Sequence, residues 1–266
     1  MSNFKSDLTT NDIVTQWIDY YLYKPLGYSI NRTDDEINQN AGSDVVVQYL
    51  SEPPMVIDEK TATYYNAFNY DNYNNNNKRS IDTFAFEIGY ITNQSFKEGW
   101  AVRKDKYKKT THYLLNWFKS NPKKINGIND ILAMHSLLIK KIVIHDIVKE
   151  ILKGITIDID NSDEIKELYF SVARGNYPNI NQWNTFYYKN QKYSYNLRYS
   201  NSGYSERPLN ILLNRRTNNA ILRHYCDKEF LTEINGISVN HTIFNHLYDD
   251  TNYSTKSKVI FSSTQI

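Results

Sequence analysis

The sequence predicts an α/β fold in which a central mixed β-sheet is flanked by helices. Three observations carry this expectation. An amphipathic stretch with helical spacing lies near the N-terminus, short β-rich runs recur between residues 45 and 118, and the apolar residues from 127 to 153 fit helices. The chain has 266 residues with no compositional break, so it reads as one large globular domain. Within it, 1–125 is the expected core, and 126–266 is a helical and β extension packed on the same domain.

The first element follows Asn11-Asp12, an N-cap signal. Ile13, Val14, Trp17, Ile18, Tyr21 and Leu22 recur at i, i+3 and i+4, and the helix should stop near Pro25. After a polar stretch over 31–43, VVVQYL at 45–50 and MVIDEKTA at 55–62 read as strands separated by Glu52-Pro53-Pro54. The run NYDNYNNNNKR at 69–79 is too polar for a core and reads as a loop. TFAFEIGY at 83–90 and THYLLNWF at 111–118 supply two more strands.

Beyond them, Ile128 to Ile151 carry apolar residues that fit one or two helices ending at Gly154, and Ser162 to Ala173 fit a shorter one. YSYNLRYS at 193–200 and LNILLNRR at 209–216 are strand candidates, followed by a tail of ambiguous character.

Composition bounds the function classes. A net charge of +2 and a pI of about 8.3 do not by themselves mark a polyanion partner, so charge has to be read locally. The 23 Tyr against 11 Phe and 4 Trp favour amphipathic surfaces over a purely apolar interior. A single cysteine, Cys226, rules out an intrachain disulfide and a cysteine-based zinc cluster, so any metal is held mainly by oxygen. No apolar run approaches the roughly 18 residues of a membrane span, and the N-terminus lacks a signal-peptide layout. The expectation is a cytoplasmic protein with no membrane contact.

The chemistry concentrates around two strands. Asp44 opens the first, and fourteen residues later the second carries Asp58-Glu59-Lys60. Side chains alternate along a strand, so Asp58 and Lys60 share a face while Glu59 points away, and a hairpin would bring Asp44 beside that face. Two carboxylates with a lysine are what metal-assisted hydrolysis of a phosphodiester needs. The acids hold Mg²⁺ or Mn²⁺, and the cation of the lysine positions water or offsets charge on the phosphorus centre.

These residues resemble the PD-(D/E)XK, or restriction-endonuclease-like, nuclease superfamily. Its signature is an acid at one strand start and acid-x-Lys on the next, here Asp44 and Asp58-x-Lys60. The surrounding words Gln39-x-x-Gly42-x-Asp44, Thr83-Phe84-Ala85-Phe86-Glu87, Gly99-Trp100 and Thr110-Thr111-His112-Tyr113-Leu114 are similar to uncharacterised prokaryotic and phage members, over roughly residues 11–120. Ser43 departs from the usual Pro, Asp58 from the commoner Glu, and Glu59 from an apolar residue. The resemblance implies a restriction-endonuclease-like core with the strands of Asp44 and Asp58 at its active-site edge. It further implies Mg²⁺ (or Mn²⁺) as cofactor and nucleic acid, DNA before RNA, as partner. It also suggests an acid from the upstream segment, for which Glu36 is preferred over Asp34, Asp35 or Asp19.

Glu87, set among apolar neighbours, is a further metal-ligand candidate against the alternative of an exposed far-face residue. Arg103, Lys104, Lys106, Lys108 and Lys109 form the densest basic segment, suited equally to nucleic-acid phosphates or to a solvated loop. Arg215, Arg216 and Arg223 read as a solvated face, and Trp100 as a packing residue rather than a stacking one. His135 and His145, ten apart on an expected helix, lack the spacing of a helical metal pair. The expected activity is a metal-dependent DNA endonuclease, with a homodimer as a natural form for cutting two strands. The alternative is a catalytically inactive nucleic-acid-binding protein, or a phage or mobile-element structural protein, of the same fold.

Overall fold

The computed structural model describes residues 2–32, 44–62, 83–103, 108–120, 125–200, 207–214, 220–235, 238–248 and 253–264, and only the backbone for 2–9, 247–248 and 253–264. Helix α1 (Ser2–Ile18) runs into a π-helical turn (Asp19–Tyr23). Then come β1 (Tyr28–Arg32), β2 (Val45–Tyr49), β3 (Met55–Thr61), β4 (Thr83–Thr92) and β5 (Ser95–Glu98). Strands β6 (His112–Ser120) and β7 (Ile131–Lys140) precede helices α2 (Lys141–Lys153) and α3 (Ser162–Ala173). After them come β8 (Trp183–Tyr188), β9 (Gln191–Tyr199), β10 (Leu209–Asn214), a short helix α4 (Ile221–His224), β11 (Lys228–Asn235), β12 (Ser238–Tyr248) and β13 (Tyr253–Thr264). None of the described helices is long and apolar enough to cross a membrane.

Over the described residues the fold is mixed α/β and mostly strand, with two sheets instead of the single central sheet expected. Each sheet belongs to its own compact unit. Unit 1 comprises Met1–Ile81, Lys109–Lys140 and Tyr225–Ile266, and unit 2 comprises Asp82–Lys108 and Lys141–His224. Both units thus draw on chain from either side of residue 125.

Unit 1 holds an eight-stranded sheet in the order β1-β2-β3-β6-β7-β11-β12-β13. Only β3 and β6 run parallel; every other neighbouring pair is antiparallel. Helix α1 and the π turn cover one face. Trp17, Ile18 and Leu22 are essentially fully buried against Val45, Val47, Ile57, Leu114, Phe118 and Leu138, and Trp17 Nε1 donates to the Ile131 carbonyl at 3.1 Å. All six apolar residues that predicted the first helix are buried in this layer. The helix begins at Ser2, however, so Asn11 and Asp12 lie within it and do not cap it.

Three further differences from expectation have physical causes. Ile131–Lys140 is a strand, not a helix. It lies between β6 and β11 and is buried at eight of its ten positions, and apolar residues on both faces erase the period-2 pattern that marks a half-buried strand. The tail forms three strands. The pair β2–β3 is not the sheet edge, because β1 adds outside it, carrying YSINR whose alternation of half-buried and exposed positions is weakly apolar.

Unit 2 holds a five-stranded antiparallel sheet in the order β5-β4-β10-β9-β8. One face is buried, carrying Phe84, Phe86 and Ile88 from β4, Ile211 and Leu213 from β10, and Tyr193, Tyr195 and Leu197 from β9. Helix α3 matches the predicted 162–173. The Asn161 side chain caps it by accepting from the N–H groups of Asp163 and Glu164, and Tyr169 packs on Phe96 with ring centroids 5.4 Å apart. Gly99 is fixed by sterics, since a Cβ there would collide with the Glu87 carbonyl. That close approach lets the Gly99 N–H reach Ile88 O at 3.1 Å and the Ala101 N–H reach Glu87 O at 3.0 Å. Trp100 beside it is half-buried against Phe86 at 5.3 Å.

Candidate active site

Asp44 immediately precedes β2. Its N–H donates to Ile57 O at 3.1 Å, extending the β2–β3 ladder by one residue, and this turns its carboxylate toward β3. There Oδ2 accepts the backbone N–H of Glu59 at 2.8 Å. The hairpin expected from the sequence therefore forms.

On β3 the period-2 alternation separates three successive polar side chains. Asp58 and Lys60 share one face and are joined by an ion pair, Lys60 Nζ to Asp58 Oδ1, at 2.8 Å. Their register partners on β6, Tyr113 and Leu115, are buried, so Asp58 lies on an apolar surface and is only 1% exposed, whereas the Lys60 side chain is 27% exposed. Burial raises the Asp58 carboxyl to about 7. The attraction of Lys60 opposes the rise, and the nearby negative charge of Asp44 adds to it. Asp58 Oδ2 is buried without a hydrogen-bond partner. A bare negative charge on that oxygen beside a second carboxylate is costly, and a proton shared with Asp44 or a bound cation would relieve it.

Glu59 faces the α1 side. Arg32 from β1 contacts it through Nη1 at 3.0 Å and Nη2 at 3.2 Å, and Tyr23 Oη donates to it at 3.0 Å. The same guanidinium grips both Asp19 oxygens, at 2.6 and 2.8 Å. Burial pushes the Glu59 carboxyl up, and Arg32 pulls it back. Asp19, at the start of the π turn, is thereby bound to Arg32 on the face opposite Asp58. This clamp was not foreseen, because Arg32 stood in a stretch with no strand pattern to place it.

Of the remaining candidates, Glu36, Gln39, Lys104, Lys106, Arg215 and Arg216 lie outside the described residues. Glu87 is on β4 in unit 2, half-buried. Arg103 faces Glu98 at 3.8 Å, and Lys108 and Lys109 are exposed. Among the described residues, no three acidic, histidine or cysteine side chains are grouped to hold a metal ion. The Asp44–Asp58 pair thus offers two carboxylates, one with an orphaned oxygen. This donor set fits a hard cation such as Mg²⁺, which commonly takes one or two carboxylates and completes its shell with water and phosphate oxygens.

Two further polar clusters escaped the sequence. His135, on β7 rather than a helix, approaches Glu229 Oε1 at 2.8 Å, and His246 approaches Oε2 at 3.2 Å, all three within the interior of unit 1. Strand pairing puts this trio on the same sheet face as Asp58 and Lys60. His112 lies between Thr111 Oγ1 at 2.9 Å and Asp227 Oδ2 at 3.3 Å. Thr111 in turn accepts the Val56 N–H at 3.0 Å, holding β3 and β6 together at one end.

No protein-family model, curated protein or solved structure matches this chain.

Proposed function

We propose that the protein is a metal-dependent nuclease that hydrolyses phosphodiester bonds, with DNA cut internally as the expected substrate. The observation that carries this is the orphaned Oδ2 of Asp58, buried beside Asp44 and flanked by Lys60. In this reading Asp44 and Asp58 hold Mg²⁺ or Mn²⁺, which supplies charge neutralisation at the phosphate and a more acidic water.

Each residue has a distinct task. The Glu59 N–H fixes the Asp44 carboxylate, so one donor oxygen is oriented before any ligand arrives. Asp58 sits where protonation and cation binding compete near neutral pH. Lys60, far more exposed than Asp58, would meet the phosphate or orient the attacking water, bringing fixed positive charge to the side on which negative charge grows. The Arg32 clamp keeps Glu59, and through its backbone Asp44, in place from behind.

The test is cleavage of plasmid, single-stranded DNA and RNA with Mg²⁺, Mn²⁺ or EDTA, beside Asp58→Ala and Lys60→Ala. Metal-dependent cutting lost in both variants is the expected outcome. Equal cutting by all three proteins would overturn the assignment. No cutting of any substrate would favour a non-catalytic binding or structural protein.

A further inference from the structure

The sheet of unit 2 has two unlike faces. One is buried, as described above. The other carries Trp183 and Tyr187, large aromatics on edge strand β8 that are 51% and 66% exposed. They are four residues apart on one strand, hence on one face and about 13 Å apart at the strand rise of ~3.3 Å per residue.

Their partners on β9 complete a pattern. Lys192 lies directly opposite Tyr187, and Asn196 directly opposite Trp183. Arg198, two residues on, shares the same face, and Lys192, Ser194 and Arg198 are exposed. Asn196 is 7% exposed, and its buried Oδ1 has no hydrogen-bond partner. That atom is closed off from solvent, so the ligand-facing groups of this pattern are the aromatics and the cations.

Aromatic side chains exposed to water and cations on the neighbouring strand meet the requirements of unpaired bases and their phosphates. Bases stack on aromatic rings whatever their identity, and phosphates pair with Lys and Arg. Bases in a duplex are already stacked on each other and cannot use such a platform. We propose that this face binds single-stranded nucleic acid, with unpaired bases on Trp183 and Tyr187 and phosphates on Lys192 and Arg198. The choice of nucleic acid as the class of ligand rests on the nuclease reading; the face itself is built by unit 2 alone.

The experiment is fluorescence anisotropy with the full chain in EDTA, which prevents cutting, using a labelled oligothymidine, an oligouridine and a blunt duplex. The expected result is that both single strands bind more tightly than the duplex. Trp183→Ala and Tyr187→Ala should each weaken single-strand binding about tenfold, and Trp183→Phe should retain most of it. Lys192→Ala and Arg198→Ala should flatten the salt dependence. Because these side chains are at the surface, circular dichroism of each variant should match the wild type. Unchanged affinity in the Trp183→Ala, Tyr187→Ala double variant, or tighter binding of the duplex, would overturn the proposal. If metal-dependent cutting occurs while the double variant binds normally, only this proposal fails. If the double variant loses binding and nothing is ever cut, only the nuclease reading fails.

Discussion

Glu59 joins the two sides of β3. Its backbone N–H is bound by Asp44 Oδ2 at 2.8 Å, while its side chain is held by Arg32 at 3.0 Å on the opposite face. The residue between Asp58 and Lys60 thus joins the Asp44 carboxylate on one side to the part-buried Arg32–Asp19 ion pair on the other.

That coupling predicts the behaviour of Arg32→Met. Removing the guanidinium leaves Asp19 and Glu59 without their common cation. The expected loss is on the order of 3 kcal/mol, toward the lower end for a broken buried pair because Asp19 and Arg32 keep some solvent contact. Chemical denaturation measures it. Arg32→Lys should recover only part, since an ammonium cannot span both carboxylates in one fork.

The Asp58 carboxyl, raised to about 7 from an ordinary value of 3.8, gives a pH-dependent stability of definite sign. The folded chain binds this proton more tightly than the unfolded chain does. Metal-free stability should therefore fall as pH rises from about 4 to about 7, by an amount on the order of 4 kcal/mol, and level off above. Asp58→Asn should match the wild type near pH 4 and exceed its melting temperature at pH 8. Mg²⁺ should raise the wild-type melting temperature at pH 8 and leave that of Asp58→Asn unchanged. Thermal melts across pH decide this.

Lys60→Met separates binding from chemistry. It should lower single-turnover cleavage at saturating Mg²⁺ by about 10²–10³-fold while leaving metal affinity within a small factor. Without the Lys60 charge beside it, Asp58 should titrate higher still, so the acidic limb of the rate profile should move to higher pH. A variant that loses metal affinity and rate together would show that Lys60 acts by holding Asp58 in place.

Gly99→Ala tests the packing of unit 2. The new methyl would meet the Glu87 carbonyl, a backbone atom that moves only with its strand, so the cost should reach about 1–3 kcal/mol or more. Denaturation monitored by tryptophan fluorescence measures it. An unchanged midpoint would mean that the Gly99–Glu87 approach can relax.

The Asp44, Asp58 and Lys60 grouping was legible because it needs only a period of two and a hairpin, both visible in VVVQYL and MVIDEKTA. Helix α1 was legible for the same kind of reason, with Trp17, Ile18 and Leu22 on one stripe. Strand β7 was hidden because a strand buried on both faces has no polar phase, and its length of ten residues fits a helix equally well. The Arg32 clamp and the His135–Glu229–His246 cluster pair residues 13 to 94 positions apart, which no local pattern encodes. Trp183 and Tyr187 could have been flagged by alternation in WNTFYY, but an exposed aromatic is recognised only once the opposite face is known to be full.

The central claim is that Asp44 and Asp58 form a divalent-cation site, and calorimetric titration with Mn²⁺ at pH 6.5 in buffers of different ionisation enthalpy tests it most directly. Wild type should bind one Mn²⁺ with release of a fraction of a proton, because the cation displaces the proton that Asp58 holds near neutrality. Asp58→Asn should bind far more weakly and release none. Binding of equal strength and equal proton release in the two proteins, or no Mn²⁺ binding by the wild type, would contradict the account.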